Sequence, residues 1–176
     1  TTSVTRTFES IFRREGVQAA IVEGDSFHRY DRKAMKIAMA QAEAAGNHHF
    51  SHFGDEANLF AELEALFHDY AETGSGQARK YLHNDEEAAP FRQEPGTFTA
   101  WEPLPPSELL FYEGLHGGVA TDKVDIAGRV DLLIGVVPVI NLEWIQKIHR
   151  DRSTRGYSTE AVTDVILRRM HEYVHF

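Results

Sequence analysis

The 176-residue sequence predicts a single α/β domain with a mostly parallel sheet flanked by helices, and three observations carry that expectation. Short apolar runs, Val17 to Val22, Leu109 to Tyr112 and Leu132 to Val137, alternate with longer segments of helical period. Each run ends at glycine, proline or acid, as strands do that deliver residues to a ligand loop. The length suffices for one domain with a real core, and neither a repeat nor a low-complexity segment divides it.

From the amino end, Val4, Phe8, Ile11 and Phe12 recur at helical spacing over Thr2 to Glu15, with Gly16 as a stop. Val17 to Val22 then reads as a buried parallel strand whose carboxyl end hands Asp25 to a loop. Arg32 to Ala45 is rich in alanine and methionine and is followed by Gly46, while Glu56 to Tyr70 repeats leucine and phenylalanine three and four apart. Both predict helices. Gly74 and Gly76 break the chain, and β-compatible pieces at 79–83 and 97–101 suggest a small antiparallel patch. Leu109 to Tyr112 and Leu132 to Val137 are expected as core strands, and Asn141 to Arg152 and Ser158 to Tyr173 as closing helices. Val162, Val165, Ile166 and Met170 mark one face of the last.

Composition excludes several classes of function. There is no cysteine, so disulfides, thiolate catalysis, thiolate metal sites and dithiol redox control are ruled out within the segment. A formal charge of −9 argues against a broad nucleic-acid or anionic-membrane surface. No run approaches a membrane span, and the opening TTSVTRTFES lacks the order of a signal peptide, so a cytoplasmic location is expected.

Local clusters stand out against the acidic background. Asp25 lies in EGDSFHRYDR, where a carboxylate able to take a hydroxyl proton sits among a histidine and arginines that form paired bonds to phosphate; a solvated loop with an Asp cap is the plain alternative. Glu113 follows a strand, where nucleotide enzymes place the acid that reaches magnesium, although carboxylates often end strands for no such reason. Lys147, Arg150 and Asp151 share one helix face, with Arg152 and Arg155 extending the cluster, while Leu142, Ile145 and Ile148 mark another. These cations suit a phosphate clamp, or a solvated helix with Asp151 paired to Arg155. Thr1, Thr2 and Ser3 open a helix whose amides and dipole favour an anion, a position where such residues more often simply cap. His48, His49 and His52 beside Asp55 lack the spacing of a zinc site and read as a solvated or substrate-lining loop.

The stretches EGDSFHRYDR, FSHFGDEAN, ARKYLHNDEEA, LLFYEGLHGGV and the long run GVVPVINLEWIQKIHRDRSTRGYSTEAVTDVILRRMHEYVHF together resemble the bacterial phosphoribulokinase family along nearly the whole chain. The resemblance implies a P-loop NTPase-like three-layer α/β sandwich with a mostly parallel (mixed) sheet, Mg-ATP as phosphoryl donor and ribulose 5-phosphate as acceptor. Asp25 then matches the general base, Lys147 the lysine that offsets charge on the transferring group, and Asp151 a member of the same cluster. His28, Arg32, His83, Arg150 and Arg155 match sugar-phosphate positions. Thr1 and Thr2 match the end of the P-loop, with Thr2 and Glu113 toward magnesium. Arg14, Arg168 and Arg169 match arginines linked to activation by NADH, or serve as helix-surface charges. Bacterial members are homo-oligomers, and the absence of cysteine favours that type over the dithiol-switched plant type.

The resemblance also implies a catalytic domain truncated at both ends, without the P-loop glycines, and therefore inactive in isolation. Two other readings stay open on the residues alone: a kinase of a nucleoside or other small hydroxylated metabolite, and a non-catalytic nucleotide-responsive assembly module. A nucleoside would offer no phosphate for Arg32, Arg150 and Arg155.

Overall fold

The computed structural model describes residues 2–136 and 139–170, with the backbone alone at positions 2, 3, 140, 154 and 155. The chain forms two compact units, Thr1–Leu133 and Ile134–Phe176.

In the first unit, helix α1 (Thr2–Glu15) leads into strand β1 (Ala19–Glu23), followed by helices α2 (Arg32–Ala44) and α3 (Phe60–Thr73). Strand β2 (Gln77–Ala78), a short helix α4 (Asp85–Ala88) and strands β3 (Glu102–Pro103) and β4 (Leu109–Glu113) complete its regular elements. β1 and β4 pair in parallel, in register from Ala19 opposite Leu109 to Glu23 opposite Glu113. A 90-residue step separates partners in that register, so the intervening helices serve as the crossover that a parallel pair requires. β2 and β3 pair antiparallel, and Tyr81 bridges Phe98, so the expected antiparallel patch is present with its ladder beginning at Gln77.

Both faces of the β1/β4 pair carry a helix, although Ile21, opposite Phe111, stays exposed, and β4 shows how. Successive strand residues point to opposite faces. Phe111 meets Phe8 of α1 at a ring-centre distance of 5.0 Å, and its neighbour Tyr112 meets Phe67 of α3 at 5.4 Å. The buried residues of α3 are Phe60, Leu63, Leu66, Phe67 and Tyr70, the three-and-four spacing of an amphipathic helix. All of these but Tyr70 join Val22, Phe27 and Ile126 in the core. On the expected segment Glu56 to Tyr70, a 3₁₀ turn at Asp55–Ala57 comes first and the helix starts at Phe60.

The second unit contains α5 (Ile140–Arg155), ended by Gly156 at φ 69°, and α6 (Thr159–Arg168), opened by Ser158, whose hydroxyl accepts from Ala161 N. Three sequence expectations are corrected or bounded here. Residues 132–136 form no strand, and Leu132, Ile134 and Val136 are exposed among the described residues. An apolar run becomes a strand only with a neighbour to take its backbone hydrogen bonds, and none of the described residues pairs with it; Val137 and Pro138 lie outside the description. On α5, Leu142 and Ile145 are exposed while Asp151 is buried and the Lys147 side chain is only 21% exposed, with Arg150 beside them exposed. On α6 only Val162 and Ile166 are buried, the helix ends at Arg168, and the expected continuation over 171–173 lies outside the described residues.

Candidate active site

Asp25 stands on a 3₁₀ turn, Gly24–Phe27, at the carboxyl end of β1. The turn is tight because Ser26 Oγ, fully buried, donates back to Glu23 O at 2.5 Å. Glycine is needed at its first position: a Cβ on Gly24 would fall 2.5 Å from Tyr112 Oη and 2.7 Å from Gly114 Cα. β1 and β4 thus run into two glycines that touch, which brings the turn bearing Asp25 against the loop that follows Glu113.

Two further anchors fix this loop. Leu59 N donates to Phe27 O and Arg29 N to Ala57 O, both at 2.8 Å, so residues 27–29 and 57–59 lie antiparallel around a His28–Asn58 bridge. From the other side, Arg79 donates through Nε to Ser26 O at 2.9 Å and through Nη2 to His28 O at 2.7 Å. Its guanidinium lies 3.7 Å over the Phe98 ring and 4.8 Å from the Trp101 ring. The loop is therefore held at its backbone, leaving its side chains for chemistry.

The Asp25 side chain is 46% exposed and lies between two imidazoles: Oδ1 is 3.3 Å from His28 Nε2 and Oδ2 is 3.6 Å from His83 Nε2. The hydrogen bond from His28 holds the carboxyl below its usual range against the opposing effect of burial, and the charges of His28, His83 and His52 add to this. For His28, burial is the largest influence and opposes the charged form. The bonds to Asp25 and Asn58, with the charge of Asp25, outweigh it and hold the imidazole above its ordinary value.

Arg32, the first residue of α2, donates through Nη2 to His83 O at 2.8 Å, so it is tied to the segment that presents His83. Glycine at position 96 leaves room for it, since a Cβ there would sit 2.7 Å from Arg32 Cβ. Glu113 is the last residue of β4, half-buried and opposite Glu23 in the strand register. Thr2 is the first residue of α1, whose first turn contains no acid; Thr1 lies outside the described residues. Arg14, at the far end of α1, is exposed and bonds Glu15 at 2.8 Å.

The second unit holds its own charged group. Asp151, 4% exposed, meets Lys147 Nζ at 3.4 Å one turn away and Arg150 Nε at 3.1 Å. Arg155 is the last residue of α5, and its side chain is not among those described. Arg168 ends α6, with Nε donating to Asp164 O, and Arg169 is its C-cap.

Asp25, His28, His83 and Arg32 are thus brought together in one unit, and Lys147, Arg150 and Asp151 in the other. Sequence reasoning missed four residues of the first group: Asn58, Arg79, Tyr112 and His116. Asn58, 1% exposed, accepts from His28, and Tyr112 is wedged between Gly24 and Gly114. His116 is 5% exposed, its ring 6.2 Å from that of His28 and 5.0 Å from that of Phe60. Burial foremost, and then the charge on His28, push His116 down to about 4. The signal for His116 was available in the position itself, a polar residue three places after the strand-ending Glu113. Among the other histidines, His48 bonds Glu43 at 3.0 Å, and the His52 ring packs 5.3 Å from His28.

The paired strands thus set Asp25 and Glu113 at neighbouring carboxyl ends, the edge at which α/β sheets bind their ligands. The chain belongs to the Phosphoribulokinase / Uridine kinase family, which it matches over residues 1–176. Among its relatives, it is 71% identical to the chromosomal phosphoribulokinase of Cupriavidus necator, over 100% of this chain and 61% of that protein. It is 66% identical to the phosphoribulokinase of Nitrobacter vulgaris, again over 100% of this chain and 61% of the relative. A solved structure of phosphoribulokinase from Rhodobacter spheroides superposes with a TM-score of 0.83 at 60% identity, covering 98% of this chain and 60% of that one. The chain therefore spans about 61% of the length of the relatives it matches. Its fold class is the expected P-loop NTPase-like α/β class, with a parallel sheet flanked by helices. Among the described residues no helix is long and apolar enough to cross a membrane.

Proposed function

We propose that this chain forms the acceptor side of an ATP-dependent kinase that converts D-ribulose 5-phosphate to ribulose 1,5-bisphosphate, the step that feeds carbon fixation in the Calvin cycle. The carrying observation is Asp25, held ionised between His28 and His83 while its side chain stays half-exposed. An ionised, accessible carboxylate at the end of a parallel strand suits removal of a hydroxyl proton. The names of the relatives supply the substrate class.

In this reading Asp25 accepts the C1 proton as that oxygen attacks the γ-phosphorus of ATP in line. Lys147 offsets charge on the transferring phosphoryl group, and the pairing of Lys147 and Arg150 with buried Asp151 keeps both cations ordered on α5. His28, Arg32, His83, Arg150 and Arg155 hold the sugar phosphate, which fixes the hydroxyl that reaches ATP. Thr1 and Thr2 are assigned to the nucleotide. Thr2 and Glu113 supply a hydroxyl and a carboxylate oxygen, the hard donors that magnesium takes, and the lack of an acid in the first turn of α1 leaves that helix end favourable to phosphate. When bound with ATP, magnesium neutralises charge on the phosphates.

The remaining assignments rest on family resemblance: residues 1–176 as part of one catalytic domain, a cytoplasmic homo-oligomer, and a response to NADH involving Arg14, Arg168 and Arg169. The deciding experiment measures ADP release by the intact protein with Mg-ATP and either ribulose 5-phosphate or uridine. Turnover that depends on ribulose 5-phosphate is expected; turnover on uridine alone would replace the proposal with nucleoside phosphorylation.

A further inference from the structure

Asn58 is buried, and its amide makes three hydrogen bonds beside the loop that carries Asp25. Its two N–H bonds are both used, Nδ2 donating to His52 O at 2.8 Å and to Gly54 O at 2.7 Å. A flipped amide would set Oδ1 against those two carbonyl oxygens, so the orientation is determined by the partners. Oδ1 is left facing His28 Nδ1 at 2.7 Å, and because Oδ1 can only accept, Nδ1 must bear the proton.

That requirement passes through the ring. A neutral imidazole with its proton on Nδ1 presents a lone pair at Nε2, and here Nε2 faces Asp25 Oδ1 at 3.3 Å. Lone pair against carboxylate is repulsive, whereas an imidazolium donates from both nitrogens at once. We propose that Asn58 is a positioning residue that acts through His28 on Asp25, locking the ring so that Nδ1 donates to the amide and Nε2 donates to the carboxylate. Asp25 Oδ1 is then engaged, and Oδ2, on the His83 side, is the oxygen left to meet the substrate hydroxyl. This rests on the reading of Asp25 as the general base.

Other groups facing the pair act on the same ring. His52 packs edge-on at 5.3 Å and His116 at 6.2 Å between ring centres, and Arg79 holds the His28 carbonyl. His83 faces the opposite oxygen of Asp25, and Tyr112 and Glu113 lie at the end of the neighbouring strand. Burial and the charge of Arg79 disfavour a charged His28, and the acceptor supplied by Asn58, together with the Asp25 carboxylate, favours it.

The test uses the intact protein labelled with ¹⁵N-histidine, in which long-range ¹H–¹⁵N correlations report which ring nitrogens are protonated. Wild-type His28 is expected to show both nitrogens protonated at pH 6.5 and, once neutral, the proton on Nδ1. Asn58→Leu and Asn58→Asp both lose the two Nδ2 donations, but only the aspartate keeps an acceptor for Nδ1. In Asn58→Leu the His28 titration midpoint falls and the neutral ring moves its proton to Nε2, while in Asn58→Asp the midpoint stays at or above wild type. Turnover follows the same split: kcat drops about tenfold in the leucine variant, the effect of one hydrogen bond on a barrier, and about threefold or less in the aspartate variant. A neutral Nε2–H tautomer in the wild type would overturn the proposal without any variant. So would two variants that lose turnover equally with His28 unmoved, since that is what a purely structural asparagine gives. A wild-type protein inactive on ribulose 5-phosphate overturns the proposed function instead, and the tautomer then decides the role of Asn58 alone.

Discussion

Replacing His116 with phenylalanine is expected to make the protein less sensitive to acid. Burial pushes His116 down to about 4 in the folded chain, against 6.5 for the free side chain. The unfolded chain therefore binds this proton first as the pH falls. The stability linked to His116 is present above 6.5 and lost as the pH drops toward 4. At pH 5 the unfolded imidazole is almost fully protonated while the folded one is roughly nine-tenths neutral, which corresponds to a loss of about 2 kcal/mol, rising to about 3 kcal/mol at pH 4. His28 works in the opposite direction, since its raised value contributes stability below 6.5 that is lost as the pH rises past its folded value. Asp25, held low, contributes above the ordinary carboxylate range and loses that contribution only in stronger acid. Subtracting the variant from the wild type removes both. Phenylalanine keeps a ring beside Phe60, 5.0 Å away, so packing is largely retained. Urea unfolding followed by fluorescence of Trp101 and Trp144 at pH 7 and pH 5 is the assay. At a slope of about 2 kcal/mol per molar, the wild-type midpoint should fall by roughly 1 M more than that of the variant. Midpoints that fall in parallel would mean that His116 is not held neutral, and the account of its burial would be wrong.

Asp25→Asn should lower turnover roughly a hundred- to ten-thousand-fold with both substrates still bound, because an amide cannot accept the hydroxyl proton; near-normal turnover would remove Asp25 from the mechanism. Arg150→Ala should mainly raise the KM for ribulose 5-phosphate, whereas Lys147→Met should mainly lower kcat, and the reverse split in steady-state kinetics would exchange their roles. Gly24→Ala should destabilise the fold by about 1–3 kcal/mol, because its Cβ meets Tyr112 Oη at 2.5 Å and Gly114 Cα, a backbone atom that cannot swing aside, at 2.7 Å. A wild-type urea midpoint for that variant would contradict the close approach of the two strand ends.

The parts of the fold legible in the sequence are those whose signal is local. Period and stop residues located α1, α2 and α5 to within three residues, and the acid after each short apolar run located the ends of β1 and β4. What periodicity could not give was partnership. Leu132 to Val136 has the composition of a core strand, yet no described residue offers it a ladder, and on α5 Leu142 and Ile145 are exposed while Asp151 is buried with Lys147 paired to it. The site divides in the same way. Asp25, Glu113 and Lys147 stand at positions that strand and helix geometry makes conspicuous. Asn58, 30 residues from the histidine it orients, and Arg79, 51 residues from the carbonyl it holds, are ordinary polar residues until the backbone brings the segments together.

The electrostatics of Asp25 bear on what kind of base it can be. A carboxylate held below its usual range by an imidazolium is a weaker proton acceptor than a free one, and Brønsted behaviour attaches a rate penalty to that. The penalty matters only as far as the proton has moved in the transition state. Phosphoryl transfer passes through a loose transition state in most analyses, with the attacking oxygen carrying little bond to phosphorus, so its hydroxyl is barely acidified when the barrier is crossed. A base acting on such a hydroxyl gains more from a fixed lone pair in line with it than from high proton affinity. The turn at Gly24–Phe27, the Arg79 clamp on its carbonyls and the His28–Asn58 pair all serve placement at the expense of basicity. Strengthening the base by removing His28 would then be expected to slow the reaction, because a carboxylate whose Oδ1 is released can turn, and Oδ2 is no longer aimed at the hydroxyl.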